Sequence, residues 1–204
     1  PLLQQAVEIL EYARYLNGMK QTYENLISQL LDSAKTAGAS GADAMLARGQ
    51  STSVSIRNGK VESSERSEDF DIGLRVFVGQ KTASISTSQL DSDNIKDLAA
   101  RAVAMANLAP EDPNVRLANS DQLAQNIPEL EIFDSAMPCT DVLRQRATDA
   151  ESAALDVNGI TNSDGGNAGH RIVDILIATS NGFLAGYKRS SHAVSTVVIA
   201  EKDG

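Results

Sequence analysis

Tryptophan is absent from this 204-residue chain and aromatic residues make up only 4% of it, so Ala, Val, Ile and Leu must supply most of any core. A single cysteine, Cys139, excludes an intrachain disulfide and suits a reducing compartment. Basic residues are outnumbered, 18 against 27 acidic ones, for a net charge of −9. No Lys/Arg stripe offsets this locally, Lys188-Arg189 being an isolated pair, which argues against direct nucleic-acid binding. Long apolar runs are missing too. "IVDILIA" (172–178) and "VSTVVIA" (194–200) are far too short to span a bilayer. The opening "PLLQQAVEILEYARYLNG" carries Glu8 and Glu11 and lacks the basic flank of a secretory signal, so the expected location is the cytoplasm, with no membrane association.

What remains is the composition of a globular protein: 42% apolar and 22% charged residues, enough for a packed core. Two amphipathic helices are expected first. Leu3, Ala6, Val7, Leu10 and Ala13 follow helical spacing, as do Tyr23, Leu26, Ile27, Leu30, Leu31 and Ala34, with Gly38 as a stop. Met19 between them is a candidate initiator, which makes residues 1–18 an upstream extension.

From Ala42 the apolar period changes from helical to alternating. "ADAMLARG" reads as a short strand, and "STSVSIRNGKVESSE" as a hairpin turning at Asn58-Gly59, where a type I′ turn needs positive φ at both positions. "FDIGLRVFVGQKTASIST" gives a further pair of strands around Gly79-Gln80. A helix follows, with Asp91, Ser92 and Asp93 at its start, Ile95, Leu98, Ala99, Ala102, Val103 and Ala106 as its stripe, and Pro110 and Pro113 beyond it. Residues 110–138 hold most of the prolines and read as a linker.

Thr140 reads as the cap of a helix with Leu143, Ala147, Ala150, Ala154 and Val157 on one face. "NSDGGNAGH" reads as a flexible loop, followed by strands at 171–179, 182–188 and 193–200. The expected class is α+β, a mainly antiparallel sheet flanked by helices, followed by a second α+β block. The expected organisation is an extension over 1–21, an N-terminal domain over 22–109, the linker, and a middle domain over 139–204. That middle domain is expected to be truncated, with Asp203-Gly204 a turn whose return strand is missing and Val194–Ala200 an exposed edge.

Catalytic patterns are scarce. The two histidines, His170 and His192, fit no zinc motif and read as isolated, and Cys139 has no partner at ligand spacing. No nucleophile elbow is present, and "SDGGNAG" (163–169) lacks the strand-before, helix-after context of a phosphate loop. Glu62, Glu65, Glu68, Asp69 and Asp71 read as a solvated face. Arg57, Lys60, Arg66 and Arg75 are interleaved with them, and such a face can bind an extended peptide by strand addition. The candidate peptide-contacting residues are Arg57, Asn58, Lys60, Glu62 and Arg75.

The run "SVSIRNGKVESSERSEDFDIGLRVFVGQKTASIST", the helix "LDSDNIKDLAARAVAMANLAPEDP" and the later "ATSNGFLAGYKRSSHAVSTVVIAEKDG" resemble the TldD/PmbA family, closer to its PmbA (TldE) branch. The resemblance rests on Arg-Asn-Gly-Lys-Val-Glu at 57–62, Gly-x-Arg-Val at 73–76 and Ser-Asn-Gly-Phe at 180–183, and spans about residues 22 to 204. It implies a longer protein with a β-rich C-terminal domain, in a family whose older label is modulator of DNA gyrase. It also implies a heterodimeric metalloprotease that degrades or matures small, unfolded or modified peptides. Zinc is then expected only in a TldD-like partner, where the metal activates the hydrolytic water, and no cofactor in this segment. No catalytic or metal-binding residue carries over. The positions that do carry over are structural: the Asn58-Gly59 turn, Gly73 with Arg75 in a central strand, and the turn at Ser180, Asn181 and Gly182. Two other readings stay open: a stand-alone peptide-binding adaptor, and a zinc peptidase whose His-Glu-x-x-x-His motif lies beyond residue 204.

Arg75 alternates with Leu74 and Val76, so it belongs on the polar side of its strand. Arg75→Ala is therefore expected to leave the far-UV circular dichroism spectrum unchanged, and an unfolded spectrum would overturn the assignment of faces.

Overall fold

The computed structural model describes residues 22–89 and 92–202. The first expected helix, Asp91 and the terminal Asp203-Gly204 lie outside them. The described elements are helix α1 (22–36), strands β1 (Gly41–Arg57), β2 (Lys60–Val78) and β3 (Lys81–Thr87), and helices α2 (Ser92–Leu108) and α3 (Thr140–Leu155). Strands β4 (Ile160–Thr179) and β5 (Leu184–Ala200) and a short 3-10 helix at Ser120–Gln122 complete them. The five strands form one antiparallel sheet in the order β3-β2-β1-β4-β5, so the protein is α+β as expected.

Two compact units share the long strands. The first comprises residues up to 47, 70–127 and 175–187. Here α1 and α2 pack their apolar stripes on one sheet face. Ile27, Leu30 and Ala34 meet Ile72, Leu74 and Val76, joined by Ile95, Ala99, Ala102 and Ala106. Each large side chain removed from water contributes about 1.5–3 kcal/mol, and here aliphatic residues supply nearly all of it. Gly38 ends α1 at φ +108, with Ala39 N–H donating to Ala34 O and Gly38 N–H to Lys35 O, a Schellman closure. Strand β3 pairs with Ile72 through Val78 of β2, with Leu74 opposite Ile85. Arg75 points away from Leu74 and Val76 and pairs with Asp43, its Nε 3.1 Å from Oδ2.

The second unit comprises residues 48–69, 128–174 and 188 onward, with Val54 and Ile56 of β1, Leu143 and Ala147 of α3, and Ala168 of β4 as its core. Strand β5 is an outer strand of the sheet, and its Val194, Val197 and Ile199 are about half exposed.

Several expectations at the level of elements change. "ADAMLARG" and the strand after it are one strand, β1, and Val61 and Phe70 lie in the single strand β2. The separate runs at 182–188 and 193–200 are likewise one strand, β5. Cys139, not Thr140, occupies the cap position of α3, with extended φ −70 and ψ 164, although its side chain makes no capping bond. The largest correction concerns "NSDGGNAGH", which is part of β4 rather than a loop. Two of its three glycines, Gly165 and Gly166, answer to close neighbours instead of flexibility. A Cβ on Gly165 would stand 2.6 Å from Ile56 O, and one on Gly166 would stand 2.4 Å from Ala147 O. The strand runs so close to β1 and α3 that side chains are excluded.

Gly73 is the contrasting case, since a Cβ there meets nothing within 4 Å. Gly166→Ala is expected to cost about 1–3 kcal/mol through overpacking. Gly73→Ala should be neutral or stabilising by about 0.5 kcal/mol, because the unfolded chain loses freedom. Urea denaturation midpoints measure both, and equal effects would refute the close approach at Gly166.

Candidate functional site

In the second unit, the turn between β1 and β2 is built by Asn58 at φ 51 and Gly59 at φ 70, the left-handed pair of a type I′ turn. Both peptide N–H groups point at one carboxylate. Asn58 N–H donates to Glu151 Oε1 and Gly59 N–H to Oε2, each at 2.9 Å. The Ser163 hydroxyl donates to Oε1 at 2.6 Å and in turn accepts from Gly165 N–H at 2.9 Å. Glu151 is 1% exposed, and Ser163 is fully buried. The Ser163 hydrogen bond lowers the Glu151 pKa; burial opposes it, and the two turn N–H groups and the Arg57 charge reinforce it. One ionised carboxylate thus ties the β1–β2 turn, α3 and the start of β4 together.

Around this clamp Arg57 lies 4.0 Å from Glu62 and 3.6 Å from Asp164, with both acids largely exposed. Four of the five candidate contact residues (Arg57, Asn58, Lys60 and Glu62) therefore gather at one hairpin end. Asn58 contributes backbone there, holding the turn rather than offering a free side chain. Arg75 belongs to the other unit, where with Asp43, Met45, Gly73 and Ser86 it lines a groove of about 360 Å³. The Asn181-Gly182 turn, with Gly182 at φ 99, is also in that unit, and Asn181 donates to Ala118 O at 2.7 Å.

A second concavity, of about 380 Å³, lies in the second unit. Ser64, Glu65 and Arg66 of β2 line it, together with Met137 to Thr140 at the start of α3 and His170 and Ile172 of β4. His170 is 7% exposed, its Nε2 has no hydrogen-bond partner, and its ring centroid is 4.6 Å from that of His192. Burial, followed by the neighbouring His192, lowers the His170 pKa and favours the neutral ring. The histidines are thus a cross-strand pair rather than isolated. Each stands eleven residues from Asn181, so counting outward from that turn was the signal that could have found them.

Glu151 also escaped the sequence reading. Its trace there is a carboxylate falling on the buried stripe Leu143–Ala147–Glu151, at i, i+4 and i+8. Among the described residues no group of three or more His, Cys, Asp or Glu is placed to hold a metal ion. The His170 and His192 rings, tilted 44° to one another, and the exposed Cys139 belong to no such group among the described residues.

Comparison with known proteins fits this architecture. Residues 42–106 match the PmbA/TldA metallopeptidase domain 1, and residues 139–204 match the PmbA/TldA metallopeptidase central domain. The chain belongs to the PmbA/TldD family. It is 30% identical over 190 residues to metalloprotease PmbA of Escherichia coli O157:H7, which covers 93% of this chain and 42% of the relative. It is 31% identical over 185 residues to a PmbA homolog of Haemophilus influenzae, covering 90% of this chain and 41% of that protein. The chain thus spans about two fifths of the length of these relatives. The fold is shared with a Bacteroides thetaiotaomicron protein named as a modulator of DNA gyrase, at TM-score 0.81 and 20% identity, over 89% of this chain and 42% of that one. It is shared also with TldE of Thermococcus kodakarensis, at TM-score 0.69 and 13% identity, over 87% of this chain and 40% of that one.

With its pKa lowered from the ordinary 4.5, ionised Glu151 stabilises the fold fully above that value, and the contribution is lost as pH falls through the lowered folded-state pKa. Glu151→Gln should cost about 1–3 kcal/mol at pH 7, because an amide N–H₂ would face backbone donors. Urea unfolding at pH 7 and pH 4 should show a smaller difference between the two pH values in the variant than in the parent. An unchanged difference would show that Glu151 is not ionised in the fold.

Proposed function

We propose that this chain forms the N-terminal and central part of a PmbA/TldE-like subunit, the non-catalytic partner of a TldD-like zinc peptidase acting on small or unfolded peptides. The observation that carries the reading is the order of two family domains along the chain, at 42–106 and 139–204. In this reading the zinc resides in the TldD-like partner. The chain contributes wall and peptide contacts through its sheet edges and the polar stretch 57–75. The cytoplasm is the expected place of action. Among the described residues no helix is long and apolar enough to cross a membrane, which is compatible with that location.

The test is reconstitution. The full gene product carrying these residues is mixed with a TldD-like protein from the same source and assayed on an unstructured peptide, with native mass spectrometry in parallel. A heterodimer that cleaves, with this subunit inert alone, is the expected result. Cleavage by this subunit alone would overturn its non-catalytic role, and failure to capture any TldD-like chain would overturn the partnership.

A further inference from the structure

Strand β2 runs from Lys60 to Val78, but its outer neighbour β3 accompanies it only from Ile72 to Val78. The stretch Val61–Asp69 therefore has β1 on one side and no strand on the other. Among the described residues no backbone hydrogen bond from outside the sheet reaches it. Nine residues of open edge extend for about 30 Å, a ready template for another strand. Eight of the nine are exposed.

The edge is acidic. Glu62, Glu65, Glu68 and Asp69 outnumber Arg66, which is itself held to Glu68 at 2.9 Å. Asp69 is held by Arg171 at 3.0 Å, whereas Glu65 has no ion pair among the described residues. A second copy pairing antiparallel would set acidic edge against acidic edge, and like charges across strands repel. A basic strand is the complementary occupant.

The same edge forms one wall of the 380 Å³ concavity, through Ser64, Glu65 and Arg66. Its other walls bring Met137, Pro138 and Ile172, which suit an aliphatic stem, and His170, whose Nε2 lacks a partner. The positive end of α3 also lies here, but Asp141 in the first turn offsets it.

We infer that the open β2 edge at Val61–Asp69 binds an extended basic peptide by strand addition, with one Lys or Arg side chain seated beside Glu65 in the adjoining concavity. This rests on the peptide-handling reading above and specifies its edge and its substrate class. Main-chain hydrogen bonds provide affinity, and the side-chain concavity with its carboxylate provides selectivity.

The test is fluorescence anisotropy on the 204-residue chain with fluorescein-labelled nine-residue peptides of alternating Lys-Thr or Glu-Thr. The Lys-Thr peptide should bind and the Glu-Thr peptide should not. N-methylating alternate amides should abolish binding in one of the two phases and spare it in the other, as only one set of amides faces the edge. Exposed Glu65→Gln should weaken binding about fivefold, while Glu111→Gln in the other unit should not. Absence of binding up to about 1 mM, equal binding of both peptides, indifference to N-methylation in either phase, or indifference to Glu65→Gln would each overturn the inference. Peptide binding without capture of a TldD-like chain overturns only the subunit reading, and capture without peptide binding overturns only this edge.

Discussion

The β1–β2 turn depends on a carboxylate four residues beyond Ala147 on a different element. Glu151 accepts hydrogen bonds from both turn N–H groups and from Ser163, and each of these is an expensive donor to leave unsatisfied when buried. Through it the turn that sets the register of β1 on β2 is fixed to α3 and to the first residues of β4. A hairpin turn ordinarily faces solvent with its N–H groups hydrated. Here it is held from beneath, and the charged residues Arg57, Lys60 and Glu62 are carried outward on a fixed base. Register matters for the outer edge as well, because a slip of one residue would move every side chain of β2 to the other face.

The glycines of β4 show the same economy. Gly165 and Gly166 let the strand pass against backbone carbonyls of β1 and α3, so Ser163 arrives where it can donate to Glu151. The first unit relies on a different device, two amphipathic helices with small residues packed flat on a sheet. Ala34, Ala42, Ala44, Ala99, Ala102 and Ala106 are all nearly inaccessible to solvent, which lets helices sit close and offsets the shortage of aromatic bulk.

Functionally, the family membership rests on two domains in order along the chain, at 42–106 and 139–204. The described residues build a sheet whose strand β2 is left without an outer neighbour over Val61–Asp69. Positioning and presentation of a peptide are tasks such a surface can perform. The acidic composition that argues against nucleic-acid binding is concentrated, on β2, in Glu62, Glu65, Glu68 and Asp69.

The sequence by itself determined the local features. Paired φ-positive residues marked the Asn58-Gly59 turn, helical spacing marked the buried stripes of α1 and α2, and alternation placed Arg75 opposite Leu74 and Val76. These are readable because each depends on neighbours a few positions away. The loop expected at "NSDGGNAGH" failed because glycine marks both flexibility and close approach, and only the position of Ile56 O and Ala147 O distinguishes them. The Glu151 clamp, the His170–His192 pair and the uncovered length of β2 were decided by tertiary structure. Each is a relation between separate elements, and the physical cause (a buried charge needing donors, a cross-strand register, a partner strand too short) shows only once those elements are paired.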